Sequence, residues 1–344
     1  MIQVKNISKR YGDNFAVKGI SFHIERGKIY GLLGANGAGK STTMNIITGC
    51  LSATDGQVTI DGKDILREPI KAKKKIGYLP EIPPLYAEMT PLEYLTFVAE
   101  AKGVPFDLAV RQVKEALALT GTDAVADRLI RNLSKGYKQR VGIAQALLGD
   151  PEIIILDEPT VGLDPKQMIE IRNLIKELGK TKTVIVSSHI LSEISAVCDH
   201  VMIISHGRLV ANDSIKNLES STNAERKLFL TVRGDAQKAL FLLQEMDAVT
   251  NLVQEPTSAD NTCRFSMSFD KDNDPRETIF YVFAENKLPI IDITTNQVTL
   301  EDIFLRLTAE TYFEDDIPYE AVEEEPCDYV PQFITANSRE EENE

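Results

Sequence analysis

A glycine-rich segment near the N-terminus carries the residue types that hold phosphate groups. Within GLLGANGAGKSTTMNIITG, the residues Gly34, Gly39, Lys40 and Ser41 form the spacing G-x-x-x-x-G-K-S between a strand-like run and a helical one. Glycines let backbone N–H groups surround an anion, and a helix N-terminus adds partial positive charge. A lysine at this spacing reaches the β- and γ-phosphates of a nucleotide, and the hydroxyl after it ligates Mg²⁺. The remaining predicted nucleotide contacts of this loop are Asn36, Gly37, Ala38 and Thr42.

Three further polar residues follow apolar, strand-like runs. Asp157 and Glu158 end the run IIIL, and His189 follows TVIVSS. Ligands of open α/β sheets bind outside the carboxyl ends of the strands, so these side chains are expected near the glycine-rich loop. There Asp157 would hold Mg²⁺, directly or through water, and Glu158 would polarise an attacking water as general base. The alternatives are an ordinary acidic strand end and a structural histidine.

A second segment, LSKGYKQR at 133–140, also has a phosphate-binding character. It contains three basic residues and no acidic one, in a chain whose formal net charge is −14. Ser134 and Gly136 precede the amphipathic run YKQRVGIAQALLG, which would point the N–H groups of a helix N-terminus at an anion. A basic, solvated helix start explains the segment equally well from its composition alone.

The elements that position these residues follow an α/β pattern over residues 1–216. The runs KIYGLLG, IIIL, TVIVSS and VMIIS are apolar on both faces, which is typical of buried, mostly parallel strands covered by helices. Short strands alternating with helical stretches predict an α/β domain. The motif of Gly34, Gly39, Lys40 and Ser41 makes it a domain of the P-loop type.

Between about residues 81 and 150 the pattern becomes helical. Thr90 as N-cap, Pro91 at the first helical position and Glu93 as capping-box partner predict a helix that ends at Gly103. We interpret this stretch as a helical insertion in the α/β domain.

The rest of the chain has a different rhythm. The polar stretch 217–225 is predicted to be a linker, and residues 226–309 alternate in the order β-α-β-β-α-β, which is the ferredoxin-like pattern. TLEDIFLRLTA then adds a last helix, with Thr299 as its N-cap. Residues 310–344 are acidic and contain three prolines, so we expect a disordered tail.

Charge and cysteine content exclude several classes of protein. The tail carries −12 of the net charge and leaves −2 on the first 309 residues, so the chain has no basic nucleic-acid footprint at this level. The four cysteines form no C-x-x-C pair, which favours reduced thiols in a cytosolic protein. The longest apolar runs are far shorter than the ~20 residues that span a bilayer, so we expect any membrane role to come through a partner.

The order of the motifs resembles that of the ATP-binding subunit of ABC transporters, over residues 1–216. That family has an LSGGQ-like signature before the acidic strand, and here the segment reads Leu133, Ser134, Lys135, Gly136 and Tyr137. The other matching positions are Tyr11 for the adenine-stacking aromatic, Glu81 in the Q-loop stretch YLPE, Asp164 in the D-loop stretch VGLDP and His189 in the switch stretch VSSHI.

The resemblance implies that the two phosphate-binding segments serve different nucleotides. In that family two ATPase domains meet head to tail and bury two ATP molecules. It implies that Ser134 and the Gly136 N–H of one subunit contact the γ-phosphate that Lys40 of the other subunit holds. It also implies that Asp164 contacts nucleotide and that His189 contacts the γ-phosphate.

Two positions depart from the family pattern. Glu81 stands where the family has glutamine; it can still ligate Mg²⁺ or orient water, and the hypothesis is that it couples nucleotide state to a partner. Equal coupled ATPase rates for wild type and Glu81→Ala in the intact complex would contradict that hypothesis. Tyr137 stands where the family usually has glutamine, and we expect it to leave Ser134 and Gly136 functional.

The resulting interpretation is an ATP-hydrolysing subunit, with ATP and Mg²⁺ as cofactors, that drives export through a separate transmembrane permease. The small C-terminal domain resembles that of the drug, sodium, lantibiotic or polysaccharide exporter type. We expect a second copy or a paralogue as dimer partner, no nucleic acid, and a peripheral location on the inner face of the cell membrane. The alternatives are a soluble ABC protein acting on a ribosome or DNA, and a regulator that binds ATP without turnover. The transported substrate, homodimer or heterodimer, and the role of the C-terminal domain and tail stay open.

Overall fold

The computed structural model describes residues 1–221, 226–256, 261–269, 273–296 and 299–309. The strands are β1 (Ile2–Tyr11), β2 (Asn14–Ile24), β3 (Ile29–Leu33), β4 (Asp55–Ile60), β5 (Lys63–Asp64), β6 (Ile76–Leu79), β7 (Ile153–Leu156), β8 (Thr183–Ser188), β9 (His200–Ser205), β10 (Arg208–Ser214), β11 (Arg226–Arg233), β12 (Thr250–Glu255), β13 (Thr262–Phe269) and β14 (Ile290–Asn296). The helices are α1 (Lys40–Ile47), α2 (Pro69–Lys73), α3 (Pro91–Ala101), α4 (Phe106–Thr120), α5 (Lys135–Leu147), α6 (Pro165–Gly179), α7 (Leu191–Val197), α8 (Ile215–Ser221), α9 (Ala236–Gln244), α10 (Arg276–Glu285) and α11 (Leu300–Ala309).

A six-stranded sheet in the order β10-β9-β3-β8-β7-β6 forms the centre of the first domain. Five of its strands are parallel and β10 pairs antiparallel with β9. Alternate residues of β7 enter different cores: Ile153 and Ile155 pack toward α1, whereas Ile154 and Leu156 pack toward α6. Because both faces are covered, the strand reads as an unbroken apolar run, and the predicted α/β architecture is confirmed.

A second sheet, which the prediction of mostly parallel strands did not include, is antiparallel and has the order β2-β1-β4-β5. Its first strand has buried Ile2 and Val4 between exposed Gln3 and Lys5, the alternation of a strand with one covered face. The core between the two sheets surrounds α1, the helix that follows the glycine-rich loop.

The helical insertion is present as α3, α4 and α5, which share a core of their own. At the start of α3, Thr90 Oγ1 accepts the Glu93 N–H at 3.2 Å, and Glu93 Oε2 accepts the Thr90 N–H at 2.8 Å. The predicted capping box is therefore confirmed. The helix ends at Ala101, and Gly103 follows with a φ of 71°, a left-handed conformation that glycine adopts at little cost.

The C-terminal part has its elements in the predicted β-α-β-β-α-β order, from β11 to β14. Its four strands form an antiparallel sheet in the order β12-β13-β11-β14. Alternate residues of β11, among them Leu228 and Leu230, join Phe265, Ile279 and Phe283 in a core beneath α9 and α10.

Two helices differ from the predicted organisation. Residues 217–221, predicted as linker from their polar composition, belong to α8, because Ile215 and Leu218 lie on one helical face and pack on the core of the first domain. The last helix, α11, has the predicted Thr299 cap, since the Asp302 N–H donates to Thr299 Oγ1 at 3.3 Å. It packs against α7, α8 and β10 of the first domain.

Residues 222–225 of the predicted linker and the predicted acidic tail, residues 310–344, lie outside the described residues. Within the described part, none of the helices combines the length and the apolar character that crossing a membrane requires.

Candidate nucleotide-binding site

The glycine-rich loop connects the fully buried β3 to α1 at the carboxyl edge of the six-stranded sheet. Gly39 caps the helix with a φ of 107°, and a Cβ atom built on it would lie 2.5 Å from the Ala16 carbonyl oxygen. Gly37 also has a positive φ, 80°, but no atom lies within 4 Å of a Cβ at that position. The conformation thus favours glycine at both positions, and close packing against β2 excludes a side chain only at Gly39.

Lys40 is buried although it carries a charge, with 6% of its surface exposed. Its Nζ donates to the carbonyl oxygens of Gly34 at 2.9 Å and Ala35 at 3.2 Å, and lies 3.4 Å from Glu158 Oε1. A buried charge is costly unless it is paired and hydrogen-bonded, and this loop supplies both kinds of partner. The ammonium group is consequently held at the mouth of the loop.

Asp157 lies directly after β7 and is buried. Burial raises the pKa of its carboxyl group, while hydrogen bonds from Ser187 and Ser41 act in the opposite direction. The Ser187 hydroxyl donates to Asp157 Oδ1, and the Asp157 N–H donates to the Leu79 carbonyl oxygen at 2.9 Å, which fixes the residue against β6.

Glu158 has a backbone conformation that the sequence does not predict. Its φ is 47°, a left-handed value that costs a non-glycine residue roughly 1–3 kcal/mol. The Glu158 N–H donates to Ser187 Oγ at 2.8 Å, and Oε2 lies 3.0 Å from His189 Nδ1. The unusual backbone turns the carboxylate between Lys40 and His189, so that one acidic group contacts both.

Sequence reasoning missed Ser187. Its hydroxyl joins the two acidic residues, because it donates to the Asp157 carboxylate and accepts the Glu158 N–H. The only signal in the sequence is a polar residue at the end of the apolar run TVIVSS, in a strand that is buried throughout. A hydroxyl in such a strand must find hydrogen-bond partners, and β7 is its neighbour in the sheet.

Tyr11 and Glu81, two further residues of the predicted site, are both exposed to solvent. Tyr11 ends β1 and is half-exposed, with Lys9 Nζ 5.4 Å from its ring centroid. Glu81 is exposed and follows β6 by two residues. Burial is the main cause of the raised pKa of Tyr78, and the negative charges of Asp157 and Glu81 raise it further.

The predicted second phosphate segment lies at the start of α5. Ser134 is exposed and caps the helix, accepting the Tyr137 N–H at 3.4 Å. Gly136 packs against Gln167, since an added Cβ would lie 2.5 Å from Gln167 Oε1, and Asp164 Oδ1 accepts the Gln167 N–H at 2.9 Å. The structure therefore gathers these predicted residues around the start of α6.

The two phosphate segments do not contact each other within the chain. Among the described residues, no hydrogen bond or ion pair joins the segment 133–140 to the loop 34–42. Lys138 Nζ donates to the Arg131 carbonyl oxygen, and the Arg140 guanidinium bonds Thr120 and Glu170. The structure brings together Lys40, Ser41, Asp157, Glu158 and His189, and it leaves Ser134, Gly136 and Asp164 in a separate group.

The donor set suits Mg²⁺. Burial raises the pKa of the Asp157 carboxyl group and the Ser41 hydroxyl lowers it, and both residues offer oxygen atoms. Mg²⁺ is commonly held by one or two such oxygens together with substrate phosphates and water. The described part of the chain has no group of three or more His, Cys, Asp or Glu side chains that could hold a metal ion without such help.

Comparison with known proteins decides the family. Residues 17–161 match the family model described as ABC transporter. The linearmycin resistance ATP-binding protein LnrL of Bacillus subtilis is 33% identical over 312 residues, which cover 90% of this chain and 99% of the relative. The chain belongs to the ABC transporter ATP-binding proteins. The bacitracin transport ATP-binding protein BcrA of Bacillus licheniformis is 34% identical, over 89% of this chain and 97% of that protein.

Solved structures agree with this membership. An ATP-binding subunit of an ABC transporter has a TM-score of 0.60 and 29% identity, and the match covers 70% of this chain and 98% of that one. A dimeric ATP-binding cassette in a post-hydrolysis state with ADP and Pi has a TM-score of 0.58 and 28% identity, over 62% and 98%. As a member of the family, this ABC protein binds ATP and hydrolyses it.

Proposed function

We propose that this chain powers export through a separately encoded membrane subunit. Through that subunit it is bound peripherally to the inner face of the cell membrane. The observation that supports the chemical part is the contact of the buried Glu158 carboxylate with both Lys40, at 3.4 Å, and His189, at 3.0 Å. The direction is supported by relatives named for bacitracin transport, linearmycin resistance and lantibiotic transport. These names favour a compound of that class as the cargo.

The loop at the start of α1 is proposed to hold the triphosphate. Its backbone N–H groups and Lys40 face the phosphates, and the half-exposed ring of Tyr11 offers a flat surface for adenine. Mg²⁺, when bound, neutralises charge on the β- and γ-phosphate oxygens, and Ser41 and Asp157 are the residues that would hold it, with Glu81 nearby. The other proposed contacts are Gly34, Asn36, Gly37, Ala38, Gly39 and Thr42.

Hydrolysis needs a water positioned at the γ-phosphorus and a group that accepts its proton. In the proposed mechanism Glu158 orients that water and takes the proton as the water oxygen bonds phosphorus, while the bond to the ADP oxygen breaks and inorganic phosphate leaves. His189 holds the carboxylate through Nδ1 and contacts the γ-phosphate. Lys40 stabilises the negative charge that builds up on the phosphate oxygens.

The second phosphate segment is proposed to act on the nucleotide of a partner subunit. Ser134 and the Gly136 N–H lie at the start of α5, in one group with Asp164 and apart from the loop that holds Lys40. A head-to-tail dimer, with a second copy or a paralogue, would bring each such group onto the neighbour's ATP. ATP then closes the dimer, hydrolysis opens it, and the insertion near Glu81 transmits the change to the permease.

We also infer the division of the chain into an ABC domain over 1–216 and a ferredoxin-like domain after residue 225. The strand order β12-β13-β11-β14, with two helices on one face, supports the second assignment. α11 is the exception to that division, because it packs on the ABC domain. A role of the second domain in dimer support or regulation is consistent with this contact.

The test of the dimeric mechanism is Glu158→Gln, which keeps the size of the side chain and removes the base. General base catalysis contributes ~10² to 10⁴-fold, so kcat is expected to fall at least ~100-fold, with ATP still bound. Gel filtration with saturating ATP should then show a trapped dimer. Glu177→Gln, an exposed residue of α6, is the matched control. A Glu158→Gln protein that stays monomeric while wild type hydrolyses normally contradicts the head-to-tail model.

A further inference from the structure

A buried carboxylate without a role in the mechanism above lies behind the Glu158–His189 contact. Glu193 belongs to α7, the helix that follows His189, and only 5% of its surface is exposed. Its Oε2 accepts hydrogen bonds from two hydroxyl groups, those of Thr160, at 2.5 Å, and Ser188, at 3.2 Å. Both donors are themselves buried.

The two donors belong to the two segments that carry the reactive groups. Thr160 is two residues after Glu158, and Ser188 directly precedes His189. The Ser188 hydroxyl oxygen also accepts the Ile190 N–H at 3.0 Å, so the backbone on both sides of the histidine is attached to it. One oxygen of Glu193 thereby links the loop after β7 to the loop after β8.

The arrangement is not what stability alone would select. Among the described residues, Glu193 Oε1 has no hydrogen-bond partner; Arg172 Nη2 forms an ion pair with it at 3.8 Å, and Arg172 Nε likewise has no partner there. A buried carboxylate costs several kcal/mol of desolvation unless good geometry repays it, as an order of magnitude. The residue that receives this incomplete pairing is the one that joins Thr160 to Ser188, which points to a functional reason for a buried acceptor oxygen at this position.

The link that Glu193 makes between Thr160 and Ser188 matters because Glu158 is held in an unfavourable backbone conformation. A left-handed φ persists only where surrounding contacts over-determine it. Ser187 fixes the Glu158 N–H on one side, at 2.8 Å. Thr160 fixes the chain two residues later, through Glu193.

We propose that Glu193 is a positioning residue that keeps the Glu158 carboxylate and His189 at contact distance. It acts through Thr160 and Ser188 and does not touch the nucleotide. The proposal rests on the proposed roles of Glu158 and His189 in hydrolysis, and extends them to a residue on α7.

The experiment compares Glu193→Ala, Glu193→Gln and wild type as purified full chains with Mg²⁺ and ATP. A displacement of about 1 Å at a reacting group costs up to ~100-fold, so kcat of Glu193→Ala should fall ~10- to 100-fold. The dissociation constant for a fluorescent ATP analogue should stay within about 3-fold of wild type, because Lys40 and its loop are untouched. Glu193→Gln keeps an acceptor oxygen for the two hydroxyls and should recover most of the lost kcat.

Two further variants guard against a merely structural effect. Thr160→Val removes one hydroxyl donor at nearly constant size and should lower kcat in the same direction. Ser195→Ala, on the same helix, serves as the control, because it removes a hydroxyl that donates to the Leu191 carbonyl oxygen and bonds neither Glu193 nor Glu158 among the described residues. If Glu193→Ala does not fold, an unchanged kcat in Thr160→Val overturns the proposal.

The outcomes separate this proposal from the function on which it depends. Wild-type kcat in Glu193→Ala together with an inactive Glu158→Gln shows that Glu193 has no positioning role, while the hydrolytic role of Glu158 stands. Wild-type hydrolysis in Glu158→Gln overturns the proposed function itself. Equal losses of kcat in Glu193→Ala and Glu193→Gln contradict the role of the hydroxyl acceptors.

Discussion

Two helices of this protein begin with a small polar loop that suits phosphate, and the two starts differ in almost every physical respect. α1 begins after a left-handed glycine, Gly39, and its first residue, Lys40, is buried. α5 begins after Ser134 in an extended conformation, and its first residue, Lys135, is exposed. The first loop is closed around its lysine, and the second is open to solvent.

The two helix starts differ in the partners that the rest of the chain supplies to them. Lys40 finds carbonyl oxygens in its own loop and a carboxylate, Glu158, across the sheet edge. Within the part of the chain that the structure describes, the Ser134 hydroxyl bonds only the Tyr137 N–H, in the first turn of its own helix. A site with its counter-charges in place can hold ATP within one chain, whereas an open helix start needs a surface from elsewhere.

The strongest contrast compares the first lysines of the two helices. Lys40→Ala should reduce ATP hydrolysis ~100-fold or more, because preorganised charge stabilisation of this kind is worth about 10²–10³ in kcat. Lys135→Ala should leave the affinity of the isolated chain for ATP within about 3-fold, since its ammonium lies at the surface, over Gly162. Steady-state ATPase assays and nucleotide titration measure both. Similar losses of ATP affinity in the two variants would remove the distinction.

A mixing experiment tests whether the open start serves a partner. Lys40→Ala lacks one half of a shared site and Ser134→Ala weakens the other half. A head-to-tail dimer of one Lys40→Ala subunit and one Ser134→Ala subunit has two sites, and in one of them both halves are wild type. The ATPase rate of the mixture should exceed the average of the two separate variants. A rate equal to that average would show that both residues act on the same nucleotide within one chain.

The glycines of the closed loop differ in the space around them. Gly39→Ala brings a Cβ to within 2.5 Å of the Ala16 carbonyl oxygen and forces a left-handed φ, whereas Gly37→Ala meets only the second cost. A left-handed φ costs roughly 1–2 kcal/mol and overpacking about 1–3 kcal/mol more. Thermal unfolding should therefore show a lower Tm for Gly39→Ala than for Gly37→Ala. Equal Tm values would show that β2 can move away.

The half-exposed ring of Tyr11 should contribute a smaller part of the affinity for ATP. Stacking of a base on an aromatic side chain is worth roughly 1–3 kcal/mol, and a half-exposed ring belongs near the lower end. Tyr11→Ala should weaken ATP binding by about 5- to 10-fold, and Tyr11→Phe should bind like wild type. Because stacking is insensitive to base type, GTP should lose the same factor. An unchanged affinity in Tyr11→Ala would place the base elsewhere.

The smallest effect concerns stability without nucleotide. Burial raises the pKa of Asp157, so the native state holds this proton more tightly than the unfolded state, and stability is lost as pH rises above the ordinary range of an aspartate. The asparagine in Asp157→Asn does not titrate. The Tm of this variant minus the Tm of wild type should therefore increase as pH rises toward neutrality. Asp107→Asn, on the exposed face of α4, reports the effect of removing a charge alone. A Tm difference that shrinks with pH would contradict the direction of the shift.

Much of the architecture follows from local chemistry. The capping box of Thr90 and Glu93, the apolar run of β7 and the spacing of Gly34, Lys40 and Ser41 depend on near neighbours, and each is where the sequence predicts it. The polar stretch 217–221 is the counter-example. Its composition indicates a linker, but packing of Leu218 on the first domain makes it the end of α8.

The candidate site also combines features that the sequence predicts with features that it does not. Residue types and strand ends are sufficient to predict Lys40, Asp157, Glu158 and His189 as site residues, because parallel strands end at one edge of a sheet. Nothing in the sequence indicated the positive φ of Glu158, the hydroxyl of Ser187 between the two acidic residues, or the packing of α11 on the first domain.

The sequence by itself thus determined which residues can do the chemistry, since spacing along one strand or one helix turn is a local property. Only the tertiary structure decided how they meet, because contacts such as Glu158 with His189 and Glu193 with Thr160 join residues about 30 positions apart. Those contacts depend on the order of strands in the sheet and on burial, which raises the energetic consequence of every unpaired charge. The buried Glu193 is the residue whose role the fold, and not the motif, indicates.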